Sequence, residues 1–491
     1  MSTPFDTIEN RPTAVFAAFL AVHAAVWTAL PSALYPNLPL DLIEALAYGR
    51  EWQLGYDKLP PLPWWLVEAA YRLFGHDVAF YALAQIAVAV AFVAVWAAAR
   101  PLVGAVGALV AILILDGLHY VNYTAAKFNH DVIQLPFWAL AGYAFHRALR
   151  TGRLAQWGLL GAAIGLALWA KYFVVVLAVP LALFVIVDAR ARQSLRTPGP
   201  YVAAAVALLV AAPHLVWLVQ NDFLPFRYAD VRAAHARNLF DYVSHPLEFA
   251  ASQLLFLLPA LAIAAPLVWP RPRDADAGAN TYDRRIVTVL AFGPAVTLVV
   301  LSLATGRALI AMWGYPLWLF LGLWIVMQGA AIDRGRLKRI VTIWAVVFVG
   351  FALAFIVNYA VLPRYDGRYR AAHYPGEQLA AEMSGRFRAA IGRPLAYVVS
   401  DMWTGGNVGH YAPERPRVLI DGEPRRAPWI DLGDLKRRGA VVVWTSGDAQ
   451  TLPAAWRAIA ADAVVQPPLR LPFRSGVNTL TVGWAILRPE G

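Results

Sequence analysis

The sequence of 491 residues has no cysteine, and only 15% of its residues are charged. Without cysteine it forms no disulfide, no catalytic thiolate and no Cys-ligated zinc site. Soluble domains usually carry about 25% charged residues, so an ordinary soluble domain cannot account for the whole chain. Hydrophobic residues make up 59% of the sequence, and its mean hydropathy is +0.52.

Apolar segments of about 20 residues recur up to residue 362, and each is long enough to cross ~30 Å of hydrocarbon. They predict an α-helical polytopic membrane protein with about 11 crossings. The predicted spans are residues 13–34, 78–99, 102–118, 132–149, 154–170, 172–187, 201–219, 249–269, 286–304, 312–327 and 340–362.

Arginine and lysine concentrate in alternate connections between these spans. With a cytoplasmic N-terminus, the inner connections contain Arg100, Arg147, Arg150, Arg153, Arg190, Arg192, Arg196, Arg271, Arg273, Arg284, Arg285, Arg334, Arg336, Lys338 and Arg339. This asymmetry follows the positive-inside rule. The net charge of +11 is therefore mostly a topology signal, and we expect no nucleic-acid partner. The odd number of spans predicts that residues 363–491 lie in the periplasm.

The stretch 41–66, DLIEALAYGREWQLGYDKLPPLPWWL, is too polar to cross a bilayer and too apolar to leave it. Within an external loop 35–77, it predicts short half-buried helices on the membrane surface, with tryptophans at headgroup depth. We expect its acidic residues to face water, where lipid-borne substrates arrive. An aspartate after a membrane helix is also a common cap or solvated terminus, so position alone leaves the role of Asp41 open.

The order Asp41, Gly55-Tyr56 and Pro60-Pro61-Leu62 resembles the first external loop of GT-C membrane glycosyltransferases. The similar branch contains protein mannosyltransferases, lipid A aminoarabinose transferases and RgtA/B/C/D-like transferases, and is glycosyltransferase family 39-like. Two later segments, LPFWALAGYAFHRALRTGR and GLALWAKYFVVVLAVP, resemble helices of the RgtA/B/C/D-like members. The resemblance implies a GT-C fold, with residues 1–362 as the transmembrane catalytic domain.

The same resemblance implies that Asp41 is the catalytic acid/base residue. Leu42 stands where the family usually has glutamate, so the acidic pair is broken. Whether Glu44 replaces the missing carboxylate stays open.

The second external loop, residues 119–131 with the sequence HYVNYTAAKFNHD, ends at the start of a helix. Asp131 and its two preceding residues are typical of helix capping, whereas the resemblance implies a second carboxylate that positions donor or acceptor. Lys171 interrupts two apolar segments and must lie at the outer surface, because burying a lysine in hydrocarbon is costly. With its neighbours Trp169 and Tyr172 it forms either an interfacial girdle or part of a ligand site.

A third external loop, residues 220–248, and a short turn, 305–311, carry further cations. They contain Arg227, Arg232, Arg237 and Arg307. A solvated surface explains any one of them, but as a set with Lys58 they suit a phosphate, because guanidinium groups pair bidentately with its oxygens.

After residue 362 the pattern predicts a small α/β domain. The predicted strands are 395–400, 418–420, 440–444 and 479–487, and the predicted helices are 377–391 and 453–461. The glycines of SDMWTGGNVGHY follow a strand without forming a GxGxxG motif. Covering the active site, binding an acceptor and a purely structural role are all compatible with this domain.

These features predict an integral-membrane glycosyltransferase at the outer face of the bacterial inner membrane. A polyprenyl phosphate leaves a sugar as a stabilised anion, so cations assist it, whereas the incoming hydroxyl needs a base. We expect Asp41 to be that base, Asp131 to assist, and the acceptor to be lipid A or LPS core, another glycolipid, a polysaccharide or a protein. No metal-ligand spacing stands out and no cofactor is predicted, although a divalent cation stays open.

Two other classes of protein are compatible with many membrane helices. A lipid or polysaccharide transporter or flippase would show internal repeats and broken or charged helices near the midplane. A non-catalytic assembly subunit on the same fold would explain the leucine at position 42.

Overall fold

The computed structural model describes residues 4–269 and 280–490, and the expected inner arginines Arg271 and Arg273 lie outside these ranges. The chain forms two compact units. Unit 1 comprises Met1–Ala29, Lys58–Leu62 and Tyr81–Leu353, and unit 2 comprises Leu30–Asp57, Pro63–Phe80 and Ala354–Gly491. Most of the first external loop therefore belongs to the same unit as the C-terminal segment, whereas our predicted boundary at residue 362 assigned it to the membrane domain.

Helices dominate the described residues up to 364. The α-helices there are α1 (Pro4–Asn10), α2 (Pro12–Leu34), α3 (Leu40–Gly49), α4 (Leu62–Phe74), α5 (Val78–Asp116), α6 (His130–Thr151), α7 (Leu154–Ala170), α8 (Val175–Val187), α9 (Gly199–Gln220), α10 (Leu224–Arg232), α11 (Asp241–Val268), α12 (Thr281–Thr305), α13 (Leu321–Gln328) and α14 (Arg334–Ile356). Short 3₁₀ helices cover His119–Val121, Tyr123–Ala126, Tyr172–Val174, Ala191–Arg196, Ala311–Gly314 and Leu362–Arg364, and α14 continues as a π-helix over Val357–Val361.

Six of the described helical segments are long and apolar enough to cross a membrane. They are Pro12–Leu34, Val78–Asp116, Gly199–Gln220, Asp241–Val268, Thr281–Thr305 and Arg334–Arg364. Leu154–Ala170 and Tyr172–Val187 are apolar but shorter. The chain is thus a multi-pass membrane protein, and the count of 11 crossings stays a prediction.

The predicted spans 78–99 and 102–118 lie in one element, α5. At 1.5 Å per residue its 39 residues would extend about 58 Å, well beyond ~30 Å of hydrocarbon. Gly104 interrupts the helix with φ 70° and ψ 175°, a conformation that suits glycine because it has no Cβ. The break therefore falls close to Arg100, where the sequence predicts an inner connection.

The predicted span 312–327 is not one helix, which is a correction. Its first part is the end of a 3₁₀ helix followed by turns, and a regular helix begins at Leu321. Pro316 has no N–H for a helical hydrogen bond. The Ala311 carbonyl instead accepts hydrogen bonds from the Tyr120 hydroxyl at 2.6 Å and from Gln253 Nε2 at 3.0 Å. These side chains satisfy a backbone group that a continuous helix would have paired internally.

Unit 2 contains a five-stranded sheet in the order β2-β1-β3-β5-β4. The strands are β1 (Tyr397–Ser400), β2 (Arg417–Ile420), β3 (Ala440–Trp444), β4 (Val464–Pro472) and β5 (Thr479–Leu487). β1 pairs in parallel with β2 and β3, whereas β5 pairs antiparallel with β3 and β4. The helices of this region are α15 (Gly376–Ile391), α16 (Met402–Tyr411), α17 (Leu432–Arg438) and α18 (Arg457–Ala460), with a 3₁₀ turn over Ala454–Trp456 and another over Ala371–His373.

Alternating strand residues bury two apolar clusters on the two faces of this sheet. Val398 and Val441 pack with Met383 of α15 on one face, whereas Val399 and Leu435 of α17 lie in the cluster on the other. The predicted small α/β fold is therefore present. Three elements, β4, α16 and α17, were not predicted. Strand β4 contains Pro467 and Pro468, which an edge strand tolerates at a bulge, and α16 contains three glycines.

Candidate active site

Asp41 lies in the first turn of α3 and is half-buried. Pro39 precedes the helix in an extended conformation, and an acidic residue in the first turn interacts favourably with the helix dipole. Glu44, one turn later, is 5% exposed. The short helices expected in this loop are present as α3 and α4.

The tyrosine of the family-like Gly-Tyr motif has a structural function. Tyr56 is buried, and its hydroxyl donates to the carbonyl of Tyr48 at 2.8 Å. The ring of Tyr48 stacks on Trp64 at 4.4 Å between centroids, with an interplanar angle of 8°. Gly49 allows α3 to approach the Trp64 carbonyl, because a Cβ there would lie 2.2 Å from that oxygen. These residues fix the shape of the loop that carries Asp41.

Three further carboxylates of the first loop are buried in ion pairs with C-terminal arginines, all within unit 2. Glu51 pairs with Arg417 at 3.0 Å, Asp57 with Arg426 at 2.7 Å and Glu68 with Arg415 at 3.0 Å. Arg72 also contacts Glu68, at 2.9 Å.

The expectation that the acidic residues of this loop face water is wrong for Glu44, Glu51 and Asp57. The side chains of Glu51, Asp57 and Glu68 are 2%, 9% and 0% exposed. Burial raises the pKa of Glu51, although Arg417 and Arg50 oppose that shift. Buried carboxylates stay ionised where a cation is in contact, so these pairs hold charge that solvent does not reach.

A second polar group lies in unit 1, at the start of α6. Asn129 caps the helix by accepting hydrogen bonds from the backbone N–H groups of Asp131 and Val132, both at 3.0 Å. The capping expected for this sequence is therefore present, with Asn129 as the cap. The Asp131 carboxylate accepts from Lys171 Nζ at 2.6 Å and from Gln134 Nε2 at 3.2 Å.

Asp131 and Lys171 are 40 positions apart, so local sequence does not predict this contact. The two side chains are 18% and 15% exposed. Lys171 is thus half-buried in a charge-assisted pair, and its Nζ also lies 5.7 Å from the ring centroid of Phe173. The pair as a whole carries no net charge.

Lys58 also belongs to unit 1. Its Nζ is 5.1 Å from the ring centroid of Tyr228, on α10 of the third loop. Two residues later, the Pro60 carbonyl contacts His130 Nε2 at 3.1 Å, a distance at which the imidazole N–H donates. The first of the two motif prolines and the cation before it are therefore fixed against the second and third loops.

The four loop arginines divide into two kinds. The Arg307 guanidinium donates to the carbonyls of Asp230 and Ala233 at 2.8 and 3.2 Å and pairs with the Asp230 carboxylate. Arg307 therefore ties the turn 305–311 to α10. Arg227, Arg232 and Arg237 are exposed, and within residues 4–269 and 280–490 their side chains form no ion pair.

Sequence reasoning missed several polar partners. The Tyr172 hydroxyl lies 2.9 Å from His214 Nε2, and Tyr172 stacks on Phe226 of α10 at 5.1 Å. The arginines at 415, 417 and 426 were also missed, because nothing near them in sequence indicates a buried carboxylate partner. Among the residues that the structure describes, no group of three or more His, Asp or Glu residues is close enough to hold a metal ion.

Comparisons with known proteins agree with this architecture. A family profile described as dolichyl-phosphate-mannose-protein mannosyltransferase matches residues 58–217. The lipopolysaccharide core galacturonosyltransferase RgtB of Rhizobium johnstonii is 26% identical over 451 residues, which cover 89% of this chain and 88% of that protein. RgtA of the same organism, also a lipopolysaccharide core galacturonosyltransferase, is 27% identical over 515 residues, with 97% of each chain covered.

The fold matches that of a solved structure over nearly its full length. ArnT from Cupriavidus metallidurans, solved bound to undecaprenyl phosphate, superposes with a TM-score of 0.64 at 13% identity, covering 98% of this chain and 99% of ArnT. Together these comparisons support a membrane glycosyltransferase of the GT-C superfamily. Of the classes of protein compatible with the sequence, the comparisons therefore support the enzyme over the transporter and the assembly subunit.

Proposed function

We propose that this GT-C glycosyltransferase moves a sugar from a polyprenyl-phosphate donor to a hydroxyl group of lipopolysaccharide core or lipid A. The alignment with RgtA, a lipopolysaccharide core galacturonosyltransferase, over 97% of both chains is the observation that carries the proposal. The lipid A galacturonosyltransferase RgtD, at 27% identity over 65% of this chain, supports a glycolipid acceptor in preference to a polysaccharide or protein. Galacturonic acid is accordingly the first sugar to test.

In this proposal Asp41 is the general base. Its carboxylate takes the proton of the acceptor hydroxyl as the oxygen bonds to the anomeric carbon, while the bond between that carbon and the phosphate oxygen breaks. The electron pair of the broken bond leaves with polyprenyl phosphate. A well-placed general base contributes about 10²–10⁴-fold to such a reaction. Glu44 is the second candidate for the base, and Asp131 assists by holding Lys171.

The leaving phosphate needs cations rather than an acid. Arg227, Arg232 and Arg237 are the first candidates for this role in the proposal, because an exposed guanidinium keeps its charge for a ligand. Lys58, which is half-buried beside the Tyr228 ring, is a further candidate. Arg307 and Lys171 already bond to Asp230 and Asp131. They are therefore weaker candidates for direct phosphate contacts.

The test is transfer by purified protein, measured as release of polyprenyl phosphate from galacturonosyl polyprenyl phosphate in the presence of lipopolysaccharide core acceptor. Asp41→Asn should lower turnover about 10²–10⁴-fold, because it removes the basic lone pair while keeping the shape. Thermal unfolding should be nearly unchanged. Wild-type protein that releases no polyprenyl phosphate from any lipid-linked sugar would overturn the function, whereas an Asp41→Asn variant retaining a tenth of turnover would move the base to Glu44 or Asp131.

We also propose that the N-terminus is cytoplasmic, and that the loops around residues 41–66, 119–131 and 220–248 and the C-terminal domain are periplasmic in the inner membrane. The cysteine-free chain allows a direct test. Cysteines at the exposed positions Asn238 and Glu423 should react with a membrane-impermeant thiol reagent added to the periplasmic side. Cysteines at the exposed positions Gln193 and Gly335 should react after the membrane is broken, and the opposite pattern would invert the topology.

A further inference from the structure

Helix α3, which carries Asp41, is held at its start by the C-terminal part of unit 2. The backbone N–H of Leu38, just before the helix, donates to the hydroxyl of Tyr411 on α16 at 2.8 Å. Gly406 of α16 faces Ile43, and a Cβ at position 406 would lie 2.7 Å from the Ile43 side chain. The absent Cβ lets the two helices pack closely next to Asp41.

The other end of α3 is held by a chain of hydrogen bonds. The buried Tyr48 hydroxyl donates to Asp57 Oδ1 at 2.8 Å, and Arg426 Nε donates to Asp57 Oδ2 at 2.7 Å. Arg426 also pairs with Asp421 at the end of β2. The sheet is therefore connected to the last turn of α3 through two hydrogen bonds to a single carboxylate.

Charge and burial keep Tyr48 and Arg426 protonated, so that both act as hydrogen-bond donors to Asp57. Burial, and then the Asp57 carboxylate, raise the pKa of Tyr48, so its hydroxyl remains a donor. Burial opposes the charge of Arg426, but Asp57 and Tyr48 raise its pKa above the ordinary value. Removal of Arg426 would leave the Asp57 carboxyl, at a site 9% exposed, without the cation that contacts it, which is costly.

We propose that Arg426 is a positioning residue for the transfer reaction, orienting α3 and Asp41 through Asp57 and Tyr48. The proposal rests on the proposed function, since it takes Asp41 as the base. Arg415 and Arg417 bind Glu68 and Glu51, which lie outside α3, whereas Arg426 reaches a residue of α3 through one carboxylate. It gives the C-terminal domain a definite function, which is to set the geometry of the catalytic helix.

The first experiment compares Arg426→Ala and Arg426→Lys with the matched control Arg425→Ala. Arg425 is the adjacent residue, is exposed and forms no ion pair within the described residues. Displacement of a catalytic group by about 1 Å costs up to about 10²-fold, so kcat of Arg426→Ala should fall about 10- to 100-fold. KM for galacturonosyl polyprenyl phosphate should stay within about 2-fold, and Arg426→Lys should recover part of kcat because it keeps the charge.

The second experiment does not depend on activity. Ala45 of α3 is 2% exposed, and Ala45→Cys would provide a single thiol in a chain without cysteine. Loosening of α3 by Arg426→Ala should raise the rate of maleimide labelling about 10-fold, and Arg425→Ala should leave it unchanged. If Arg426→Ala does not fold, Tyr48→Phe removes the α3 end of the same connection while the Arg426–Asp57 pair remains, and it should give the same two effects at smaller size.

The outcomes separate this proposal from the proposed function. Unchanged labelling and unchanged kcat in Arg426→Ala would overturn the positioning role, even with Asp41→Asn inactive. A loss of kcat accompanied by an equal loss in Arg425→Ala would also overturn it, because a nonspecific effect then explains both. An active Asp41→Asn variant together with faster labelling in Arg426→Ala would overturn the assignment of the base while leaving the mechanical connection to α3 intact.

Discussion

The arginines of the third loop in unit 1 differ from those of the C-terminal segment in unit 2 in a way that their local sequences do not show. Arg227, Arg232 and Arg237 are exposed. Arg415, Arg417 and Arg426 each contact a carboxylate that is at most 9% exposed. The first group is available to a ligand, and the second is committed to the fold.

This difference shows why an arginine count cannot identify a phosphate site. An exposed guanidinium gains little from a surface ion pair and keeps its donors for an incoming anion. A guanidinium bound to a buried carboxylate would have to leave that carboxylate uncompensated before binding anything else. Arg307 lies between the two cases, since it is part-exposed but bonds to Asp230.

The strongest test of the comparison is to remove a buried carboxylate of unit 2. Glu68→Ala should lower the free energy of unfolding by about 3–5 kcal/mol, because Arg415 and Arg72 lose their shared partner. The matched control is Glu382→Ala, which breaks the exposed pair with Arg386 and should cost about 0.3–0.5 kcal/mol. Denaturant unfolding in detergent measures both. Equal losses would mean that burial does not distinguish the two kinds of pair.

Inhibition by polyprenyl phosphate without sugar tests the exposed group. It should compete with the donor, because it keeps the anion and the lipid chain. Replacement of a phosphate-contacting residue among Arg227, Arg232 and Arg237 by alanine should weaken the inhibition by roughly 1.5–3 kcal/mol. Arg393→Ala, which removes an exposed arginine of the C-terminal domain, is the control. Unchanged inhibition in all three loop variants would identify them as surface charges.

The pH dependence of stability tests whether unit 2 excludes water from the His410 side chain. Burial, and then Arg415, lower the pKa of His410 to about 3. The folded state thus favours neutral His410, and the stability that this provides is present above the unfolded pKa of about 6.5 and is lost as pH falls. Between pH 7 and pH 5 the wild type should lose about 2 kcal/mol more unfolding free energy than His410→Gln. Parallel pH profiles of the two proteins would show that His410 is hydrated.

Local patterns in the sequence were sufficient for much of the fold. Runs of apolar residues predicted most membrane helices, and alternation predicted four of the five strands, because burial of one face or of a whole segment is encoded within a few residues. The helix cap at Asn129 could likewise be predicted from adjacent residues. The segment 312–327 was predicted wrongly, and the Ala311 carbonyl just before it bonds to Tyr120 and Gln253, which are distant in sequence.

By itself the sequence determined that this chain is a membrane protein with a C-terminal α/β domain, and it predicted a surface loop bearing Asp41. The tertiary structure decided which charged side chains are bound in ion pairs and which are available to a ligand. Lys171 pairs with Asp131 across 40 residues, and Arg426 with Asp57 across 369. Hydrophobic periodicity and capping act between near neighbours, whereas an ion pair depends on where the folded chain brings two side chains together and on how much water remains there. Most of the loop 35–77 therefore proved to be part of the same unit as the C-terminal domain, which no local pattern in either segment specifies.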